Sequence, residues 1–289
     1  MKGKRANKDF SAEGLPHNRK EVFFDLLKIR YPMILLLGLV LLVFATPLII
    51  SSFIGDSMAA GILADYNDGV YTEKQAIDLI YSLRNTVNVI NVPCLIVLAI
   101  GLAGVMRIIR QLIWGEGVFF TQDLFEGIKL NWPIYVMVSA LAGFVIFTVG
   151  LVIPSGQSTI VGVILSAAQF AAVAVFLPVA MFVLTQAQIY TNPFFTYARN
   201  GFLFFIKKLI PTLVFMFAFY LPFITDYLSG ALLKLILLIV YFIFVAVPAL
   251  MAWFLFSCSV FDEFINKDCY RQIYDKGVYR TENDRKNEN

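Results

Sequence analysis

The sequence predicts an all-α fold: a polytopic transmembrane bundle of six helices with short cytoplasmic interfacial helices. Three observations carry this prediction. The chain of 289 residues is 59% apolar and 15% charged, against roughly 45–50% and 25% in soluble domains. No Asp, Glu, Lys or Arg occurs from Leu130 to Ala198, a stretch too long for a surface in water to leave uncharged. Period-two alternation, which a membrane barrel requires, is absent. Disordered, collagen-like and disulfide-stapled classes are excluded by 28 Phe, no glycine period and three Cys.

A helix needs about 20 apolar residues to cross a hydrocarbon core of about 30 Å. The charge-free runs and their breaks predict spans at about 31–55, 85–106, 132–153, 159–187, 209–225 and 231–260. The break between the third and fourth is Pro154-Ser155-Gly156-Gln157-Ser158. Backbone groups in lipid must be bonded within their own segment, which makes these spans helical. Residues 1–19 form a polar lead, 20–261 the membrane domain and 262–289 a charged tail.

Six spans put both termini on one side. Twenty Lys and Arg residues fall on that side, and only Lys74, Arg84 and Lys234 on the other. By the positive-inside rule both termini are cytoplasmic, and a bacterial plasma membrane is the natural location. The first apolar run follows a polar lead of about 30 residues and far exceeds the roughly 7–15 residues of a cleavable signal. Cys94, Cys258 and Cys269 have no metal or redox spacing and are expected to be reduced thiols.

The cytoplasmic segments repeat an order. Phe23-Phe24 precedes Lys28, Arg30, Tyr31 and Pro32; Phe119-Phe120-Thr121 precedes Lys129, Asn131, Trp132 and Pro133; Phe194-Phe195-Thr196 precedes Lys207, Lys208 and Pro211. Each reads as an interfacial helix followed by a span with proline in its first turn. Pro93, Pro178 and Pro248 lie at matching depths in the even spans, where proline kinks a helix. Ala99/Ala103, Ala167/Ala171 and Ala168/Ala172 have the spacing of close helix contacts. The pattern predicts three repeats of interfacial helix plus helical hairpin.

Chemistry-bearing motifs are few. His17, the one histidine, lies in the polar lead and reads as a solvated residue. There is no H-E-x-x-H, Walker loop, G-x-S-x-G elbow or paired cysteine, so neither a catalytic residue, a metal site nor a cofactor is expected. Two cytoplasmic loops are docking candidates: a mixed-charge one with Arg107, Arg110, Glu116, Asp123, Glu126 and Lys129, and a basic one with Arg199, Lys207 and Lys208. The competing reading is anchoring to anionic lipid, roughly 1 kcal/mol per base. Asp226, Lys234 and Gln169 are the candidates for a solute pathway, because polar groups in a span are costly. The bland alternative is a snorkelling Lys234 paired with Asp226 and glutamines that bond between helices. Asp65-Tyr66-Asn67-Asp68-Gly69 lacks calcium-loop spacing and reads as a solvated turn. Residues 72–81 read as a short helix capped by Thr72. The tail 261–279 reads as a short helix on the membrane face, with a disordered end beyond Thr281.

The loop Arg107-Ile108-Ile109-Arg110, Gly115-Glu116-Gly117 and Phe120-Thr121-Gln122-Asp123-Leu124-Phe125, ending in Lys129 and Asn131, resembles the hallmark of the YesL-like family of bacterial integral membrane proteins. The segment Tyr190 to Leu213, with Arg199-Asn200 and Lys207-Lys208, is similar to that family's second loop. The resemblance spans roughly 20–265; the external segment 56–84 and the tail are longer than the family pattern. It implies proximity to bacterial carbohydrate uptake and degradation, without an established activity. The leading expectation is a non-enzymatic accessory protein that binds membrane lipids and a transporter component or other membrane protein, and no nucleic acid. The alternative is a small-solute transporter or channel with a pathway between the kinked helices. An intramembrane lipid- or glycan-processing enzyme is a weaker third, with only Glu116, Asp123 and Asp226 near the interface.

Overall fold

The computed structural model describes residues 15–150, 159–225 and 230–279, which are helical and contain no strand. The stretches Tyr31–Asn67, Glu73–Ile113, Phe120–Val145 and Ala231–Cys269 are long and apolar enough to cross a membrane. Phe194–Lys207 with Leu209–Pro222, bent by 107°, makes a fifth if the pair is one span. The protein is therefore an all-helical membrane-type bundle with four or five candidate spans among the described residues.

Helix α1 (Arg19–Ile29) starts at Asn18, whose side chain accepts from the Glu21 N–H at 2.9 Å, a standard N-cap. The chain breaks at Arg30, and α2 (Tyr31–Asn67) carries Pro32 in its first turn, where proline removes only an N–H that the helix leaves unpaired. A short helix followed by a long apolar helix with proline in its first turn is therefore present at this end of the chain.

The predicted end of the first span near residue 55 is not a helix end. Helix α2 has 37 residues and α3 (Glu73–Ile113) has 41, about 55 and 61 Å at 1.5 Å per residue. The segment 56–84, expected as a turn and a short helix, is the turn-end part of one long helical hairpin. Charges end an apolar run but do not end a helix, which explains the difference. At its tip, Gly69 is left-handed (φ 76°), and Val70 N–H bonds Asp65 O while Gly69 N–H bonds Tyr66 O, a Schellman closure. Thr72 then caps α3 in a reciprocal box with Gln75.

The second interfacial segment is not separate. Helix α4 (Phe120–Gly150) runs unbroken with Pro133 inside it. Its first half is held by α3: a Cβ on Gly127 would lie 2.7 Å from Arg107 Cβ and 3.0 Å from Gly104 Cα. Two glycines let the backbones touch, and that contact keeps residues 120–130 in line with the bundle. Ala99 and Ala103 are buried, but Ala167, Ala171 and Ala172 are exposed, so only the first small-residue pair packs a described helix contact.

Helix α5 (Thr159–Ala187) contains Pro178; the predicted turn Pro154 to Ser158 lies outside the described residues. Helix α6 (Phe194–Lys207) breaks at Lys208, and α7 (Leu209–Ile224) begins with Pro211 in its first turn. The last span is α8 (Ala231–Val240), a π-turn at Tyr241–Val245 and α9 (Ala246–Phe261). Pro248 follows; the residue four before it, Phe244, lies in that π-turn, where the carbonyl ladder is already displaced. The π-turn backbone presses on α2: a Cβ on Gly38 would sit 2.4 Å from Ile243 O.

The tail is not a surface helix. A second π-turn (Asp262–Asn266), a single turn α10 (Lys267–Cys269) and a 3-10 turn (Arg271–Ile273) fold it back over the bundle end. Tyr279 N–H donates to Pro16 O at 2.9 Å; residues beyond Tyr279 lie outside the described ones.

Candidate functional site

The face that carries both ends of the described chain holds most of the bundle's polar bonds. On the mixed-charge loop, the Asp123 carboxylate is buried at 6% exposure. It accepts from Gln111 Nε2 at 2.8 Å and from Phe119 N–H at 2.6 Å, closing the first turn of α4, where a negative charge suits the helix dipole. Arg107 pairs with Glu126 at 2.8 Å and lies 4.0 Å from Asp123. Gly115, left-handed at φ 67°, ends α3 in a second Schellman closure and presents Glu116. Lys276 of the tail reaches Glu116 at 2.6 Å and stacks over Trp114 at 4.1 Å. Arg110 donates to Gln188 O at 2.6 Å and lies over the same indole at 5.1 Å. Arg107, Arg110, Glu116 and Asp123 therefore act within the fold, tying α3, α4, the α5–α6 link and the tail together. Lys129 is the exposed charge of this loop.

A second group fastens α5. Gln188 Nε2 donates to Tyr135 OH at 2.8 Å and to Ala103 O at 3.2 Å, and its Oε1 accepts from Asn131 at 3.2 Å. Tyr135 OH donates to Leu184 O at 3.0 Å. Trp253 Nε1 donates to Thr185 Oγ1 at 3.0 Å, and Gln186 Nε2 donates to Tyr197 O at 3.1 Å. Such bonds between membrane helices contribute roughly 0.6–2 kcal/mol each.

The third group joins the N-terminal segment to the tail. Arg19 pairs with Asp262, and both side chains are largely buried. Asn266 Nδ2 donates to Asp262 Oδ1 at 2.7 Å, and Tyr190 OH donates to Asn266 Oδ1 at 2.6 Å. Tyr197 OH in turn donates to Tyr190 O at 2.6 Å. Burial above all, with Cys258 and Asp262 nearby, raises the Tyr190 phenol above its ordinary value, which keeps the donor proton in place. Sequence reasoning misses Arg19, Asp262, Asn266, Tyr135 and Tyr190. The available signal is Asp262 and Asn266 four apart just past an apolar span, a spacing that puts both on one helix face. An open cleft of about 500 Å³ borders this group, lined by His17, Arg19, Ser259, Asp262, Glu263 and Lys267 among others.

The basic loop differs from the mixed one. Lys208 pairs with Glu263 at 2.8 Å, Lys207 lies over the Phe264 ring at 4.3 Å, and Arg199 and Lys207 are exposed. Of the pathway candidates, Lys234 pairs with Asp56 at 2.8 Å, and its expected partner Asp226 lies outside the described residues. That bridge registers α2 against the start of the last span. Gln169 lies on α5, its side chain outside the described residues. Cys94 and Cys258 are buried and Cys269 exposed, all as free thiols. Among the described residues no group of three or more His, Cys, Asp or Glu is placed to hold a metal ion. Comparison with known protein families, with curated proteins and with solved structures returns no match for this chain.

Proposed function

We propose that this chain is a six-span, non-enzymatic plasma-membrane protein with cytoplasmic termini that works by binding a protein partner in the same membrane. The YesL-like resemblance points to a component of bacterial carbohydrate uptake as that partner. Counting α5 and α7 as separate crossings gives six, and the split of basic residues sets the orientation.

The observation that carries the reading is the α2–α3 hairpin. About 20 residues cross the hydrocarbon core, yet α2 continues for eleven residues past Asp56, the residue bridged to Lys234 near the start of the last span. The hairpin therefore projects into water on the face opposite the termini. There Met58, Leu63, Tyr66, Val70 and Leu79 are exposed large apolar side chains, bordered by exposed Asp65, Asp68, Glu73 and Asp78. An exposed apolar patch with a polar rim is what a binding surface presents. Its acidic rim fits a partner with a basic one and disfavours tip-to-tip pairing of two copies.

Photo-crosslinking tests this. A photoreactive residue at Leu63 or Leu79, introduced in cells growing on a carbohydrate carried by an uptake transporter, is expected to give an adduct with a component of that transporter. A probe at Phe217, exposed on α7, is expected to give none. Absence of the adduct from both hairpin sites, or its equal formation from Phe217, contradicts the proposal. Solute flux in liposomes holding this protein alone favours the transporter reading instead.

A further inference from the structure

We infer that the elbow between α6 and α7 is a binding site for an anionic phospholipid, with the headgroup phosphate on Lys207 and Arg199 and an acyl chain along α7. The inference rests on the membrane reading and stands apart from the hairpin's partner.

Helix α6 buries Tyr197, Gly201, Phe204 and Phe205; it lies against α5, where a Cβ on Gly201 would sit 3.1 Å from Val179 O. Its other face is bare: Phe195 is 84% exposed, and Phe202, Leu203 and Ile206 are exposed beside it. At 100° per residue, positions 195, 199, 202 and 206 share one stripe. Arg199 therefore stands inside an exposed apolar stripe, and no carboxylate among the described residues pairs with it. A guanidinium in that position needs an anion at headgroup depth, reached by snorkelling of its long stem.

At the bend the stripe turns through 107° and continues down α7 as Ile210, Val214 and Phe217, all exposed and spaced i, i+4, i+7. One stripe lies along the interface and the next descends from it, with Lys207 at the corner and Arg199 about 12 Å back along α6. This is the outline of a phospholipid, headgroup flat and chain steep. Lys207 is held at the corner over the Phe264 ring, which leaves its ammonium donors to a phosphate. Lys208 is tied to Glu263, so the uncompensated charge falls on Arg199 and Lys207. The α3–α4 loop, by contrast, neutralises Arg107 with Glu126 and engages Arg110 with Gln188.

The test is native mass spectrometry of the full-length protein released from nanodiscs of phosphatidylcholine and phosphatidylglycerol in equal parts. The intact protein is expected to retain phosphatidylglycerol over phosphatidylcholine. The double variant Arg199→Gln, Lys207→Gln is expected to lose that retention by about thirtyfold, five- to sixfold for each base. A control with the same charge change, Lys20→Gln, Lys129→Gln, is expected to retain it. All six residues of the two stripes and both bases are exposed, so the thermal midpoint in zwitterionic detergent is expected to be the same for all three proteins. Equal retention of the two lipids by the intact protein, or equal loss from both variants at unchanged midpoints, overturns the site. A fallen midpoint in the elbow variant alone overturns it as well, because the bases would then be structural.

Discussion

Gly38→Ala is expected to destabilise the bundle by about 2 kcal/mol, and Gly38→Leu to prevent its assembly. Alanine is the better helix former by about 1 kcal/mol, so the sign depends on what the new methyl meets. At Gly38 it meets backbone: Ile243 O at 2.4 Å and Phe242 O at 3.0 Å. These atoms belong to the π-turn of the last span and cannot rotate aside as a side chain would. Overpacking of this kind costs roughly 1–3 kcal/mol, and separating α2 from the last span also loosens the Asp56–Lys234 bridge. Gly61 is the matched control on the same helix, because a methyl added there would have nothing within 4 Å of it. Gly61→Ala is expected to stabilise by up to about 1 kcal/mol. Titration with SDS in mixed micelles reads both values; a stabilising Gly38→Ala contradicts the close approach.

Arg19→Met is expected to destabilise the protein by about 3–5 kcal/mol, because it leaves the Asp262 carboxylate buried without its cation. Asp262 is 6% exposed and keeps only Asn266 as a side-chain donor. The loss should spread along the chain of bonds through Asn266 to Tyr190 and Tyr197, releasing the tail from the bundle end. The double variant Arg19→Met, Asp262→Leu removes both charges and should recover most of the stability, since a well-packed apolar pair often equals a buried ion pair. Thermal unfolding in detergent gives the stabilities, and limited proteolysis between Cys269 and Tyr279 reports the tail. A single variant as stable as the parent, with the tail still protected, contradicts the clasp.

Much of this fold is legible in the sequence where one physical rule acts locally. Apolar runs longer than a bilayer is thick predict the spans, and Pro32 and Pro211 mark two helix starts because the first turn tolerates a missing N–H. Thr72 with Gln75 is readable as a cap for the same local reason. What is not legible depends on a partner distant in the chain. Pro133 reads as a helix start until Gly127 is set against Gly104, after which α4 has to continue. The pairing of Lys234 with Asp56 is of this kind, since the two residues lie at opposite ends of the chain's apolar spans. The full length of the α2–α3 hairpin is hidden for another reason: hydropathy measures apolar character, and a helix that becomes polar loses that signal while keeping its hydrogen bonds.

The candidate site follows the same division. Composition alone shows the mixed loop and the basic loop as two clusters of charge, without saying which charges are engaged within the fold. The fold separates them, because Arg107, Arg110, Glu116 and Asp123 meet polar or charged groups on other elements, whereas Arg199 is exposed and Lys207 is exposed with the Phe264 ring beneath it. Arg19 and Asp262 are invisible as a pair, since nothing in either segment indicates that the two ends of the chain meet.

Everything proposed for the hairpin and the elbow depends on which parts of the chain lie on which side of the membrane. Labelling with a membrane-impermeant maleimide in intact cells tests this most directly, using native Cys269 and, on a Cys269→Ser background, single cysteines at Val70, Gly117 and Thr191. The six-span account predicts that Val70→Cys is labelled in intact cells, whereas Cys269, Gly117→Cys and Thr191→Cys are labelled only after permeabilisation. Labelling of Thr191→Cys or Cys269 in intact cells, or of Val70→Cys only after permeabilisation, contradicts it.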